Sequence, residues 1–325
     1  MTPFHSPLAG DLRRFLEFKR RLGSPYARAE STLAAFDRFL LRYVDERRNW
    51  QLDQAMLAWL ASRPPRKAIS VSVDASVLRQ LCRYLRREAR RPQFREPHWP
   101  KLPTESVFVP YVLSDADIRR LLDLARHLNR PPFRASVYRA LILVLYCTGL
   151  RFGEALRLRL RDVNTQTAVL FVERFKGRAR WVPFHRSLAR ELDRYLEQRR
   201  TFAPAAAEDR VFVGASRRTL PVNTASGVLR ALFRQADLKP RQGRAGPRPY
   251  DLRHTFAVHR LTRWYRDGVD LHSRLPWLSA YMGHLDIVGT ETYLTATPEL
   301  LSLAGHRFRR RYLNAPADVE GASTP

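Results

Sequence analysis

TAVLFVERFKGRARWVPF, residues 167–184, is the stretch that decides the fold class. Two runs rich in branched and aromatic residues, TAVLFVE (167–173) and RWVPF (180–184), flank RFKGRA, whose Gly177 suits a turn. Such runs, bounded by a turn, predict a β-hairpin with Lys176 at its tip. VFV (211–213) is a candidate third strand. Everywhere else the apolar residues recur at helical spacing. The expected class is therefore mainly α with a small antiparallel β-sheet.

Working outward, the first 90 residues predict four short helices. Their apolar stripes are Leu12, Phe15 and Leu16; then Leu33, Phe36, Phe39, Leu40 and Tyr43; then Leu52–Leu60; then Val77, Leu78, Leu81 and Leu85. Pro92, Pro97, Pro100, Pro103 and Pro110 follow. Proline lacks an amide donor and resists helix, so 91–112 is expected to be an extended linker. A second domain, 113–313, opens on Ser114 with Asp115 and Asp117, an N-terminal capping pattern. The 135–147 helix is apolar on several faces and is expected to be buried. The tail 314–325 has the composition of a disordered segment.

Charge narrows the function. The chain of 325 residues holds 58 Lys and Arg against 31 Asp and Glu, a net charge of +27. A field of that sign and size points to nucleic acid as partner. Only five of the basic residues are lysines, at 19, 67, 101, 176 and 239. A GC-rich genome accounts for Arg in place of Lys, but not for the excess over acids. Cys82 and Cys147 sit in apolar helical patterns without metal-ligand spacing, as core thiols of a reducing compartment do. Charges interrupt Met1–Arg20, so no signal peptide is expected there. The longest apolar run, Ala140–Cys147, is too short to cross a bilayer. A cytoplasmic protein with no membrane partner is expected.

Three stretches hold chemistry. In TGLRFGEALRL (148–158), Gly149 ends the buried helix, and Arg151 and Glu154 are three apart, expected on one helical face. In PRPYDLRHTFA (247–257), a helix is expected to start near Asp251, with Tyr250, Arg253 and His254 on one face near the end that attracts anions. In GHLDIVGTETY (283–293), nine residues separate His284 from Tyr293, half a turn out of phase on one helix. Gly289 is expected to break it and Thr290 to cap the next. Taken singly, each stretch also fits an ordinary ion pair, a capped helix or packed core residues.

Together RFGEAL, a hairpin lysine, DLRHTFA and GHLDIxxTxxY, in that order between Arg151 and Tyr293, resemble the tyrosine recombinases, or phage integrases. The resemblance covers the whole chain. It implies a helical core-binding domain over 1–90 and a mixed α+β catalytic domain over 113–313. The implied reaction is site-specific DNA cleavage and rejoining through a 3′-phosphotyrosyl intermediate. In it Tyr293 is the nucleophile, Arg151, Arg253 and His284 bind the non-bridging phosphate oxygens, and Lys176 protonates the leaving 5′ oxygen. Glu154 orients Arg151. No metal or cofactor is implied. The implied partner is double-stranded DNA, with a homotetramer on two sites and accessory recombinases or factors as further partners. The segment 297–313 corresponds to a C-terminal helix of the kind that docks on a neighbouring protomer, and its Leu300, Leu301 and Leu303 suit either that docking or packing on their own domain. One position departs from the pattern: the family's H-x-x-R motif would put His at 250, where this chain has Tyr250. A phenol with a pKa near ~10 is a poor base at neutral pH, yet can hydrogen-bond a phosphate. His254 is expected to pack or cap instead. Two other readings stay open: a type IB topoisomerase-like relaxer using the same groups, and a DNA-binding relative with weak or lost catalysis.

Overall fold

The apolar stripes of the first 90 residues do what their spacing demands. In the computed structural model, which describes residues 4–24, 26–47, 49–64, 68–88, 94–99, 111–128, 133–173, 179–203, 209–243, 245–291 and 293–294, they form four helices. These are α1 (Ala9–Arg21), α2 (Ala27–Asp45), α3 (Leu52–Ser62) and α4 (Ala68–Arg87). They belong to the first of two compact units, Met1–Val107 and Phe108–Pro325. Leu12, Phe15, Leu16, Leu33, Phe36, Leu40, Leu78, Leu81 and Leu85 are all fully buried. Burial of a side chain of this size stabilises by ~1.5–3 kcal/mol. Two acids inside this core are hydrogen-bonded, as buried polar groups must be. Asp37 accepts from the amides of His5 and Ser6 at 2.8 and 3.1 Å, and Asp74 accepts from the Thr32 hydroxyl at 3.0 Å.

The second unit is built around α6 (Phe133–Thr148), buried on several faces through Val137, Leu141, Ile142, Val144 and Leu145. Helices α5 (Asp115–Arg126), α8 (Arg186–Phe202) and α10 (Asp251–Arg266) pack on it. The Ser114 cap is realised as a reciprocal box: its hydroxyl accepts from the Asp117 amide, and the Asp117 carboxylate accepts from the Ser114 amide. A single turn, α7 (Phe152–Ala155), and helices α9 (Val222–Gln235), α11 (Leu271–Met282) and α12 (Val288–Glu291) complete it.

The hairpin forms as the sequence predicts. Strand β2 (Val169–Val172) pairs antiparallel with β3 (Arg180–Pro183), Val169 opposite Pro183 and Val172 opposite Arg180. The third strand is not 211–213 but β1 (Val163–Asn164), which pairs with β2 on its other side. Around 211–213 only isolated bridges form, Arg159 with Arg210 and Val213 with Thr219. The apolar character of that run serves burial: Val211, Phe212 and Val213 are all core residues. Lys176, the 297–313 helix and the 314–325 tail lie outside the described residues, as does 91–112 apart from 94–99 and 111–112. Among the described residues no helix is long and apolar enough to cross a membrane, no group of acids, His and Cys could hold a metal, and Cys82 and Cys147 are free thiols.

Candidate active site

Two left-handed glycines shape the site. Gly149 (φ +60°) follows α6 and Gly283 (φ +68°) ends α11, conformations that L side chains rarely adopt. Space enforces the same choice. A Cβ at 149 would lie 2.3 Å from the Phe256 ring, and one at 283 would lie 2.5 Å from Arg180 Nη1. Each turn aims a carbonyl at a guanidinium. Arg253 Nη1 donates to Gly149 O at 2.6 Å, and Arg151 Nη2 donates to Gly283 O at 3.0 Å.

Arg151 and Glu154 do meet, though not on a helical face. Arg151 is the extended residue before α7, and its amide donates to Glu154 Oε2 at 2.9 Å while its Nη1 donates to Oε1 at 2.9 Å. The spacing of three is that of a cap, which explains why the pair is buried rather than a surface bridge. Glu154 has a second cation: Arg180 Nη2 lies 3.0 Å from its Oε2. Burial alone would raise the Glu154 carboxyl, but hydrogen bonds and charge from Arg180 and then Arg151 outweigh it and hold the pKa below the ordinary value.

Arg253 enters from the first turn of α10 and is 1% exposed. Its Nη2 donates to Met282 O at 2.9 Å and to His284 Nε2 at 2.8 Å. Burial and the neighbouring charge of Arg151 lower its pKa, yet a guanidinium stays protonated. The His284 imidazole is pushed down to about 4 by burial, then by the charges of Arg253, Arg151 and Arg180. A neutral ring that accepts at Nε2 carries its proton on Nδ1, which faces Thr290 Oγ1 at 2.6 Å. Thr290 therefore fixes a tautomer rather than capping a helix. The expected break at Gly289 also moves: Gly289 and Thr290 both lie within α12, and the chain turns at Gly283 instead.

Tyr293 is 2% exposed, its ring centroid 6.2 Å from that of His284 and 5.4 Å from that of His254. Burial raises the phenol pKa and the adjacent Arg253 opposes the rise. Tyr250 precedes α10 and is 38% exposed. Its ring stands edge-on to His254 at 4.9 Å. His254 thus packs between the two tyrosines. Burial pushes its pKa down to about 4, against the pull of Asp251, whose Oδ1 is 3.7 Å from Nε2.

Of the residues singled out from sequence, Arg151, Glu154, Arg253, His284 and Tyr293 converge, Tyr250 stands at the edge, and Lys176 falls outside the described residues. Arg180 was not foreseen, Thr290 was expected only as a cap, and His254 was expected to pack or cap but without its two tyrosine partners named. Three guanidinium groups, on Arg151, Arg180 and Arg253, gather around one carboxylate, Glu154, which bonds Arg151 and Arg180 directly and acts on Arg253 only by its charge. The buried Arg253 Nε makes no hydrogen bond among the described residues. A cluster with that surplus of donors and positive charge is suited to an anion with several oxygens, such as a phosphodiester.

Comparison with known proteins agrees with this geometry. The model of the phage integrase family matches residues 112–299. A Sinorhizobium fredii protein named as an integrase/recombinase, y4rB, is 35% identical over 309 residues, 93% of this chain and 96% of that one. The tyrosine recombinase XerA of Pyrococcus furiosus is 26% identical over 284 residues, covering 86% and 88%. Among solved structures, the fold matches a Tn1549 transposon integrase in complex with transposon right end DNA (TM-score 0.63, 15% identity, 92% of this chain and 98% of that one). It also matches a lambda integrase dimer bound to a core site (TM-score 0.62, 16% identity, 87% and 96%). The chain belongs to the phage integrase family, the tyrosine recombinases. It is a DNA-cleaving and rejoining enzyme of that class.

Proposed function

We propose that this chain performs site-specific strand exchange with Tyr293 as nucleophile, as a tetramer on two DNA sites. The phenol oxygen attacks the scissile phosphorus as its proton passes to solvent, a 3′-phosphotyrosyl bond forms as the bond to the 5′ oxygen breaks, and that oxygen leaves with a proton supplied by Lys176. The intermediate conserves the energy of the phosphodiester, so one displacement becomes two reversible ones. Arg151 and Arg253 neutralise the non-bridging oxygens as charge gathers there. Removing one such donor typically costs ~10²–10³ in rate. His284, neutral in the free site, releases its Nε2 from Arg253 when phosphate arrives. Tyr250 occupies the position of the family's histidine and contributes a hydrogen bond rather than a base.

The observation that carries this reading is the buried contact of Arg253 with His284 beside Tyr293, assembled from three separate elements. A structural ion cluster has no need of a tyrosine there. The DNA partner follows from the family and from the charge; the tetramer and any accessory factor rest on the family pattern alone.

Covalent trapping tests it. The protein is incubated with nicked duplexes made from DNA flanking its own gene, without divalent metal, and denatured with SDS. The native chain is expected to give an adduct that Tyr293→Phe abolishes and Tyr250→His increases. Specific binding without an adduct in any variant would instead favour a DNA-binding relative that has lost catalysis.

A further inference from the structure

Arg180 was not foreseen from the sequence, and its surroundings separate it from Arg151, with which it shares Glu154. Its side chain is 8% exposed, against 19% for that of Arg151. All three of its guanidinium nitrogens already serve protein acceptors. Nε donates to Tyr281 O at 2.7 Å, Nη1 to Glu154 Oε1 at 3.3 Å and Nη2 to Glu154 Oε2 at 3.0 Å. Three of its five N–H groups are thus bonded within the protein, and at 8% exposure the other two are turned away from solvent and substrate. Arg180 does hold the carboxylate that holds Arg151.

We infer that Arg180 is a positioning residue for strand cleavage: from the first position of β3 it fixes Glu154, and through Glu154 it fixes the aim of Arg151. The inference rests on the reading of Arg151 as a phosphate ligand. Glu154 is a buried carboxylate with a 2% exposed side chain, and it requires compensation on both oxygens. With Arg180 present, the Arg151 guanidinium gives Glu154 only Nη1, beside the backbone amide, and leaves Nη2 on Gly283 O. Without Arg180, Glu154 would draw the Arg151 guanidinium fully onto itself, away from a phosphate. The Gly283 turn reinforces the link, because its Cα packs against the Arg180 guanidinium while its carbonyl accepts from Arg151. Arg180 also anchors β3 to α11 through Tyr281 O, so the strand that leads out of the Lys176 hairpin is tied to the same turn.

The test is single-turnover formation of the covalent adduct by R180M and R180K, with DNA affinity measured separately in the Tyr293→Phe background. R180M is expected to slow cleavage ~10–100-fold, the usual cost of losing a residue that orients a ligand-binding group. DNA affinity should change less than about threefold, since affinity rests on contacts to the phosphate backbone. R180K, which keeps one donor and the charge, should recover part of the rate. In an Arg151→Lys background R180M should cost little more, because its effect runs through Arg151. A native cleavage rate in R180M, an undiminished R180M effect beside Arg151→Lys, or loss of affinity in step with cleavage would each overturn the inference. If R180M does not fold, R180K alone decides: a native rate overturns the inference and a partial loss supports it. If even the native chain gives no adduct, the reading of Tyr293 fails on its own. The Arg180 inference is then read from a crystal structure of R180M, where Arg151 still bonded to Gly283 O would refute it.

Discussion

Two histidines are kept uncharged beside Tyr293, and that has a thermodynamic consequence. His254 and His284 both have folded pKa values pushed down to about 4 from an ordinary 6.5, in each case chiefly by burial. The unfolded chain takes up these protons as pH falls through ~6.5, whereas the folded chain refuses them until pH ~4. Between those limits the unfolded state binds more protons, so stability rises with pH and is lost as the pH is lowered. Carboxylates in unfolded chains titrate mostly below this window. The melting temperature is therefore expected to drop by a few degrees between pH 7 and pH 5. A His254→Asn, His284→Asn double variant, referred to its own value at pH 7, should lose clearly less over the same interval. Equal losses in both proteins would mean that the imidazoles are not held neutral. The sequence named His284 through its spacing to Tyr293, but it assigned His254 only to packing or capping. Local spacing shows which residues share a helix; it does not show which ring from α10 meets a tyrosine that follows α12. Arg180 was missed for the same reason, since its partner Glu154 lies 26 residues away across a strand and a turn.

At the scale of elements, the site depends on where helices stop. Helices α6 and α11 both end at a left-handed glycine, and the two carbonyls there hold Arg253 and Arg151, the proposed phosphate ligands. Gly149→Ala tests this. The variant forces a side chain into φ +60° and drives its Cβ onto the Phe256 ring. Strain of this kind costs ~1–3 kcal/mol and overpacking a similar amount. Loss of about 2–4 kcal/mol is expected in chemical denaturation, and adduct formation should fall as well, because the clash with Phe256 shifts the residue-149 carbonyl that accepts from Arg253. Gly243→Ala is the control: it too has positive φ (+86°), but nothing lies within 4 Å of its added Cβ, so it should cost less and leave cleavage intact. Gly149 was legible as a helix end and Gly283 was not, since the break was expected at Gly289; the helices were legible from period and the hairpin from composition and its turn glycine. The third strand was not. β1 is two residues long, too short to show alternation, and its pairing with β2 is set by the preceding turns. VFV at 211–213 has strand composition but is used as core filling, because composition reports burial and β-propensity together.

At the scale of the whole molecule, the net charge of +27 must act mainly on binding. Each phosphate neutralised by a basic side chain releases counterions, so log affinity falls with log salt at ~0.9 per contact on duplex DNA. An enzyme of this charge on duplex DNA is expected to show a slope magnitude of at least ~6. Cleavage should behave differently. Arg253 and Glu154 are buried, their neighbours lie within hydrogen-bonding distance, and salt screens such pairs far less than exposed charges. Once DNA is saturating, the rate constant for adduct formation should therefore stay nearly flat from about 0.05 to 0.3 M salt, while the dissociation constant rises by orders of magnitude. The two quantities come from one titration series, in which adduct yield against time is followed at several DNA concentrations for each salt. A rate constant at saturation that falls in parallel with affinity would mean that exposed charges complete the catalytic arrangement. In that case the buried cluster of Arg151, Arg180, Glu154 and Arg253 would not be the preorganised core of the reaction.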